Sequence, residues 1–132
     1  MAQHYLLSSK SKNINLKDIL RLTEEDAFHL LKTHRWGNPD NIRDVCCPHC
    51  SIRHEAYFLS SRKRWCCKHC KRHFYITTNT AFAFHKVDLV DILAVILMMV
   101  NSSKGISAID VSRHLNLNYK TAFVLCGKVR EA

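Results

Sequence analysis

The chain has 132 residues, of which 20 are Lys or Arg and 11 are Asp or Glu, so its formal net charge is +9. This length allows one ordinary domain or two very small ones, and domains below about 70 residues usually need a metal or a similar staple. The positive balance favours a polyanionic partner over a role in solubility alone, because the basic residues are clustered along the sequence.

Cysteine usage bears on the compartment. The chain has seven cysteines, an odd number, and no N-terminal stretch shows the charged start and apolar core of a secretion signal. The most apolar run, 89–100, is too short to span a bilayer and contains Asp91. We therefore expect a soluble protein with no membrane partner in a reducing cytoplasm, where closely spaced cysteines more often bind metal than form disulfides.

The pattern along the chain predicts an α+β fold. Residues 1–12 are polar and are expected to form a disordered start, and 13–44 are expected to hold two short N-terminal helices. The expected inner faces are Leu16, Ile19 and Leu20 in the first helix, and Ala27, Leu30, Leu31 and His34 in the second. Residues 45–80 have β-prone stretches at 56–59 and 73–77, which favour a small antiparallel sheet.

Helical periodicity returns in 86–132, for which we predict a three-helix, helix-turn-helix domain. Asp88 and Ser107 are the expected caps of its first two helices, and Asn116-Leu117-Asn118 is the expected turn before the third. The first helix has the apolar stripe Leu89, Ile92, Leu93, Ile96, Leu97 and Val100; the second directs Ala108, Val111 and Leu115 inward; the third buries Ala122, Leu125, Cys126 and Val129.

Two cysteine knuckles carry the strongest signal. Cys47-Pro48-His49-Cys50 and Cys67-Lys68-His69-Cys70 are each a Cys-x2-Cys unit, and 16 residues separate them. A hairpin of that length would bring two tight turns together, so that four thiolates could surround one Zn²⁺. Four protein ligands leave no position for water, and the predicted zinc is therefore structural and promotes folding.

A second ligand register is open. Each motif reads Cys-Cys-x-His-Cys, so Cys46 with His49 and Cys66 with His69 form another donor set. We favour the first set, because Pro48 suits the start of a turn and two Cys-x2-Cys knuckles need no mixed geometry. Cys46 and Cys66 would then contact the ligands or lie in the core, and Cys126 would pack in the third helix of the C-terminal domain.

The last predicted helix is a candidate for base recognition. Its buried residues leave an outer face with a polar start, as in helix-turn-helix proteins that place a helix in the major groove. The candidate DNA-binding residues of this segment are Asn118, Tyr119, Lys120, Thr121, Val124 and Lys128. Lys120 could reach a guanine edge or a phosphate, and Val124 could contact a thymine methyl. The alternative is an ordinary three-helix bundle whose outer face is solvated.

A cluster of basic residues lies on or near residues 45–80, the predicted zinc ribbon. It comprises Arg62, Lys63, Arg64, Lys68, Lys71 and Arg72, of which all but Lys68 are candidate DNA-binding residues. We expect this positively charged cluster to bind the phosphate backbone of double-stranded DNA, through contacts that carry no sequence information. A solvated hairpin tip is the simpler interpretation.

Several segments occur in a specific order: Thr23-Glu24-Glu25-Asp26 leading to Arg35-Trp36, the two knuckles, 74–80, 104–108 and 119–123. In this order the chain, over about residues 13–132, resembles the N-terminal part of bacterial insertion-sequence transposases that begin with a zinc ribbon and continue into a DDE-type catalytic domain. Asn79 and Asn116 stand where such proteins tend to have Gly, and Asn tolerates the left-handed backbone required there.

The resemblance implies a DNA-binding region that recognises the ends of a mobile element. In such transposases the acidic residues that hold catalytic Mg²⁺ lie beyond the helix-turn-helix, and this chain stops at Ala132. We therefore expect no enzymatic activity. A stand-alone regulator of a mobile element or phage and a zinc-ribbon protein-interaction module are the alternatives, and a homo-oligomer or a protein partner is left open.

Overall fold

Five helices and five short strands form the part of the chain that the computed structural model describes, residues 15–83 and 85–131. The helices are α1 (Leu16–Arg21), α2 (Glu24–Trp36), α3 (Leu89–Asn101), α4 (Ala108–Leu115) and α5 (Tyr119–Glu131). The strands are β1 (Asp44–Cys46), β2 (Arg53–Glu55), β3 (Tyr57–Leu59), β4 (Arg64–Cys66) and β5 (His73–Phe74). The α+β prediction is confirmed, and the predicted disordered start, 1–12, lies outside the described residues.

The chain divides into two compact units. We call 25–85 the ribbon unit, and 15–24 together with 86–131 the helical unit. The segment predicted to hold the N-terminal helices is divided between them, because α1 belongs to the helical unit and almost all of α2 to the ribbon unit.

The ribbon unit is built from two antiparallel sheets. Strands β1 and β2 pair with Val45 opposite His54, and β3, β4 and β5 form a second sheet in that order. The strand predicted at 73–77 ends at Phe74, because a turn follows in which the amide of Thr78 donates to the carbonyl of Tyr75 at 3.2 Å. Three strands, β1, β2 and β4, were not predicted, since three-residue strands carry too little periodicity to read.

An aromatic cluster centred on Trp65 forms the core of this unit. The indole of Trp65 is fully buried, and its ring centroid lies 5.2 Å from that of Phe28 and 5.2 Å from that of Trp36, both on α2. Phe58 and Phe74 pack on it from the neighbouring strands, at 5.3 and 5.8 Å. The ribbon therefore has an apolar core that α2 completes, a larger one than the strands alone could provide.

The buried face of α2 differs from the predicted one. Ala27 is buried as expected, but Phe28, Lys32 and Trp36 complete the face, whereas Leu30 is 48% exposed and His34 is exposed. The reason lies in Lys32, whose Nζ donates to the carbonyls of Gly37, Asn38 and Asn41 at 2.8, 2.6 and 2.7 Å. A lysine that binds the loop after its helix can lie inward, so a purely apolar pattern places this face wrongly.

In the helical unit, α1 packs on α3, and α4 packs on α5. The most apolar helix is α3, which buries Leu89, Ile92, Ala94, Val95 and Leu97. The predicted stripe was wrong at its end, where Val100 is 50% exposed one residue before the helix stops at Asn101. No helix of 15–83 or 85–131 is both long and apolar enough to cross a membrane.

Two of the predicted helix boundaries are confirmed. Ser107 caps α4, since its hydroxyl accepts a hydrogen bond from the amide of Asp110 at 3.1 Å. Asn116 ends α4 in the left-handed conformation, at φ 52°, and so turns the chain into α5. Asp88 precedes α3 but makes no capping hydrogen bond; the carboxylate of Glu24 accepts from the amides of Leu89 and Val90 instead.

Candidate metal centre and basic surfaces

Each cysteine knuckle is the loop of an antiparallel hairpin. The first joins β1 to β2, and the amide of Cys47 donates to the carbonyl of Ile52 at 3.1 Å. The second joins β4 to β5 with the same closure, the amide of Cys67 donating to the carbonyl of Arg72 at 3.0 Å. The equal spacing in the sequence thus produces two equal loops.

The tight turn within each knuckle needs one left-handed residue, directly after the second cysteine. These residues are Ser51, at φ 59°, and Lys71, at φ 61°. Their amides donate back to the carbonyls of Cys47 and Cys67 at 2.8 and 3.1 Å. A side chain at positive φ is strained relative to glycine, so the hydrogen bonds of the knuckle and its metal must offset this cost.

The four sulfurs of Cys47, Cys50, Cys67 and Cys70 lie within 4.8 Å of one another. The sulfurs of Cys47 and Cys70 are 3.6 Å apart, as are those of Cys50 and Cys67. A tetrahedral zinc with Zn–S bonds of about 2.3 Å requires sulfurs about 3.8 Å apart. The donor set and its spacing therefore fit one structural Zn²⁺, which when bound would crosslink the two knuckles.

The structure brings together the first of the two predicted donor sets. Among the described residues, these four cysteines are the one group whose ligand atoms lie close enough to hold a metal ion. The thiols of Cys46 and Cys66 contact backbone carbonyl oxygens instead. The Cys46 sulfur lies 4.0 Å from the carbonyl oxygen of Cys47, and the Cys66 sulfur lies 3.8 Å from that of Cys67. His49 and His69 have exposed side chains.

The local field favours thiolate formation at one of the four sulfurs. Burial of Cys67 opposes its ionisation, but backbone amides of Cys70 and His69 and the adjacent thiols outweigh that effect and lower its pKa to about 6. The amide of Cys70 lies 3.4 Å from this sulfur. Burial raises the pKa of Cys47. Four thiolates at this separation repel one another, so a divalent cation is needed for all four to ionise.

A histidine that the sequence did not single out links the two knuckles. The Nε2 of His54 accepts a hydrogen bond from the amide of Lys68 at 3.1 Å, and its Nδ1 lies 3.1 Å from the carbonyl of Ile52. An amide donor requires an unprotonated Nε2, so Nδ1 carries the hydrogen that Ile52 accepts. The neutral ring thus joins the loop of Cys47 to the loop of Cys67. Only the location of His54 in β2 could have indicated this role from the sequence, and β2 was not predicted.

The turn after β5 is anchored from two sides. The guanidinium of Arg35 donates to the carbonyls of Ile76 and Thr78, both at 2.6 Å. Asn79, in the left-handed conformation at φ 58°, donates its amide to the carbonyl of Pro48 in the first knuckle at 3.0 Å. A glycine would supply the backbone conformation but not this contact. Segments 35–36 and 74–80, which carried the resemblance together, are therefore in contact.

The candidate phosphate-binding residues of the ribbon lie in two loops and at one strand end. Arg62 and Lys63 are in the turn between β3 and β4, and Lys71 and Arg72 end the second knuckle. Arg62, Lys71 and Arg72 are exposed. Arg64 differs, because it begins β4 and its guanidinium lies 5.3 Å from the centre of the Tyr75 ring.

The candidate base-reading residues lie at and beyond the start of α5. The side chain of Asn118 caps this helix by accepting from the amide of Lys120 at 3.0 Å, and Lys120 is exposed. Tyr119 and Val124 are 51% and 55% exposed, whereas Thr121 and Lys128 are half-buried. A large exposed side chain outside the candidate set is Phe123, which is 59% exposed and whose ring lies tilted against that of Tyr119, with centroids 6.2 Å apart.

Comparison with known proteins agrees with this geometry. Residues 22–73 match the family described as the transposase zinc-ribbon domain, a match that covers about two fifths of the chain and contains α2, β1 to β4 and both knuckles. Neither curated proteins nor solved structures gave a match. The resemblance to the N-terminal region of insertion-sequence transposases is thereby supported, and residues 22–73 are similar to the zinc-ribbon domain of transposases.

Proposed function

We propose that this chain is the zinc-dependent DNA-binding region of a transposase, which recognises the ends of its element and has no catalytic activity of its own. The observation that carries the proposal is the helix pair α4 and α5. The two helices are joined by a tight turn at Asn116. Helix α5 buries Ala122 and Leu125 on its inner face and exposes Lys120 and Val124 on its outer face.

In this proposal α5 reads the bases. Helix-turn-helix proteins place the first turns of the second helix in the major groove, where short polar and apolar side chains reach base edges. Lys120 is two residues after the Asn118 cap, and Val124 lies one helical turn further. An ammonium group and a methyl surface spaced in this way match a guanine edge and a thymine methyl.

The ribbon holds the phosphate backbone. Arg62, Lys71 and Arg72 are exposed, and the net charge of +9 supplies long-range attraction to DNA. Zinc contributes indirectly, because Lys71 and Arg72 belong to the loop that Cys67 and Cys70 close. Loss of the metal should therefore weaken binding without any direct contact between zinc and DNA.

The absence of catalysis is part of the proposal, and the described carboxylates support it. Glu24 is occupied by two backbone amides of α3, Asp44 pairs with Arg53 at 2.9 Å, and Asp110 accepts from Ser107 at 2.8 Å. Burial, followed by the charges of Asp88 and Glu24, raises the pKa of Asp91. We expect no nicking or strand transfer with Mg²⁺ or Mn²⁺; divalent-dependent cleavage that survives further purification would overturn this expectation.

A protein-interaction module is the second candidate, because apolar side chains are exposed on the helical unit. Ile109 of α4 is 51% exposed and Phe123 of α5 is 59% exposed. Isolated exposed apolar residues are common on soluble proteins, so this observation is weaker than the polar start of α5. A regulator without a catalytic partner domain would use the same DNA-binding surfaces.

The experiment is selection from a random duplex library by the zinc-loaded chain, followed by titration of the selected duplex and a scrambled one. A DNA-binding region should enrich a defined sequence and bind it at least about tenfold more tightly than the scrambled duplex. The chain with zinc removed by a chelator should lose most of its affinity. Equal binding of both duplexes, or unchanged binding without zinc, contradicts the proposal.

A further inference from the structure

A cavity of about 820 Å³ lies in the ribbon unit between the first knuckle, strands β4 and β5, and the turn after β5. One arginine and three histidines line it: Arg64, His49, His73 and His85. Threonine hydroxyls and Asn79 supply further polar groups, and none of the described lining residues is a carboxylate. A cavity with this lining favours an anion over a cation.

Arg64 is the strongest indication that the cavity binds a ligand. Its Nε is buried and has no hydrogen-bond partner among the described residues. The guanidinium carbon lies over the ring of Tyr75, 5.3 Å from its centre, in a cation–π contact. The guanidinium lines the cavity, so its other N–H groups can donate to an oxygen bound there.

The remaining walls are fixed by the backbone. Arg64 and Cys66 are two residues apart in β4, so their side chains lie on the same face of the sheet. His73 of β5 lies directly opposite Cys66 and therefore shares that face. Asn79 is held against the first knuckle through the carbonyl of Pro48, and the hydroxyl of Thr80 donates to the carbonyl of Thr77 at 2.5 Å. The cavity is thus preformed around the guanidinium, as ligand sites usually are.

A metal ion is a poorer occupant than an anion. Among the described residues, only the four cysteines bring ligand atoms close enough together to hold a metal, and none of the three histidines belongs to that group. The guanidinium in the same cavity would also repel a cation. Its N–H groups instead form a fork that matches two oxygens of a phosphate.

We propose that this cavity binds a phosphate group through the guanidinium of Arg64, with His73 and the neighbouring histidines as additional donors. Its volume of about 820 Å³ accommodates the group together with an attached sugar. The inference deepens the proposed function, on which it rests for the source of the phosphate: a backbone phosphodiester of bound DNA. Arg64 thereby differs from Arg62, whose exposed side chain contacts phosphates only by general attraction.

The test uses the Nε–H resonance of Arg64 in the full zinc-loaded chain, recorded by proton–nitrogen NMR. Inorganic phosphate is titrated at constant ionic strength, with chloride as the comparison. The Arg64 resonance should shift to lower field in a saturable manner with phosphate and not with chloride, while that of Arg62 should not saturate. A linear, unsaturated response of Arg64 to phosphate overturns the site.

The second arm replaces phosphate by the duplex selected above. If DNA supplies the phosphate, the duplex should shift the same Arg64 resonance, and Arg64→Lys should weaken both phosphate and duplex binding by at least about tenfold because it removes the fork. Arg43→Lys is the matched control, because Arg43 is exposed in the ribbon unit and is not a candidate DNA-binding residue, and it should change both by less than about twofold. A saturable response to phosphate that the bound duplex leaves unchanged overturns DNA as the source. If the wild-type chain binds no duplex at all, the proposed function fails, and the phosphate titration still decides the cavity.

Discussion

The imidazole of His54 accepts a hydrogen bond from the backbone amide of Lys68, at 3.1 Å, and so joins the two cysteine loops through a group that is not a zinc ligand. Its second nitrogen donates to the carbonyl of Ile52, which also accepts from the amide of Cys47 at 3.1 Å. Groups that orient metal-binding loops usually tune metal affinity.

This contact predicts that His54→Ala weakens zinc binding. The change removes the acceptor of the Lys68 amide and the donor to Ile52, so the two loops are less well preorganised, and we expect zinc affinity to fall by about 10-fold. His54→Gln should restore part of the loss, because its side-chain oxygen can replace Nε2. Competition with a chromophoric chelator measures both. Equal affinity of wild type and His54→Ala would show that the ring has no role in the site.

The identity of the ligands predicts a sharp contrast between adjacent cysteines. The zinc-loaded chain should contain one zinc per molecule, and Cys47→Ser or Cys67→Ser should abolish stable binding because each removes a ligand. Cys46→Ala, one residue away, should retain a full equivalent of zinc, since its sulfur contacts a carbonyl. Elemental analysis of purified variants is the measurement.

The same series tests the competing register. Loss of zinc in Cys46→Ala with retention in Cys47→Ser would mean that Cys46 and His49 are ligands instead. Cys126→Ala provides a second control: its buried thiol lies in α5, so stability should fall while the zinc content stays at one.

The left-handed residue of the first knuckle predicts a stabilising substitution. Ser51 lies at φ 59°, where glycine is unstrained, so Ser51→Gly should raise the free energy of unfolding of the zinc-loaded chain by about 0.5–1 kcal/mol. Ser60→Gly is the matched control, because Ser60 is not among the positive-φ residues, and it should be neutral or destabilising. Urea unfolding at fixed zinc concentration compares them. Destabilisation by Ser51→Gly would contradict the described turn.

Capping of α3 predicts a long-range effect of Glu24. Its carboxylate accepts from the amides of Leu89 and Val90 at 3.2 and 3.1 Å, so Glu24→Ala should cost about 0.5–2 kcal/mol, as the loss of an N-cap does. Asp88→Ala should cost much less, because Asp88 makes no capping hydrogen bond. Thermal unfolding followed by helical circular dichroism measures both variants; a larger loss for Asp88→Ala would reverse the assignment.

Local signals account for what the sequence predicted well. The knuckles depend on the spacing of Cys47, Cys50, Cys67 and Cys70, and the caps at Ser107 and Asn116 depend on residue type at a single position. Such features need no knowledge of distant neighbours.

The features that were missed depend on tertiary contacts. Glu24 lies 65 residues before Leu89, so no local pattern indicates that it caps α3 in place of Asp88. Lys32 lies on the buried face of α2 only because three carbonyls from the following loop surround its ammonium group. Arg64 was grouped with the exposed basic residues, and only the pairing of β4 with β5 directs it towards the cavity.

If the ribbon binds phosphates and α5 reads bases, ribbon variants should change the salt dependence of DNA binding without changing the preferred sequence. Arg62→Ala with Arg72→Ala should weaken all duplexes alike and reduce the salt slope by about 0.9 log units per lost phosphate contact. Such variants leave the preferred sequence unchanged, because phosphate contacts carry no sequence information. An unchanged salt slope would remove the ribbon from the DNA-binding surface.

The most direct test of base reading by α5 is the affinity of Lys120→Ala for the selected duplex and for a scrambled duplex at one salt concentration. Lys120 is exposed in the first turn of α5, so its loss should not disturb the buried face of Ala122, Leu125 and Cys126. We expect a loss of about 1–3 kcal/mol on the selected duplex and little change on the scrambled one. Equal losses on the two duplexes would contradict the account, because Lys120 would then contact only the backbone.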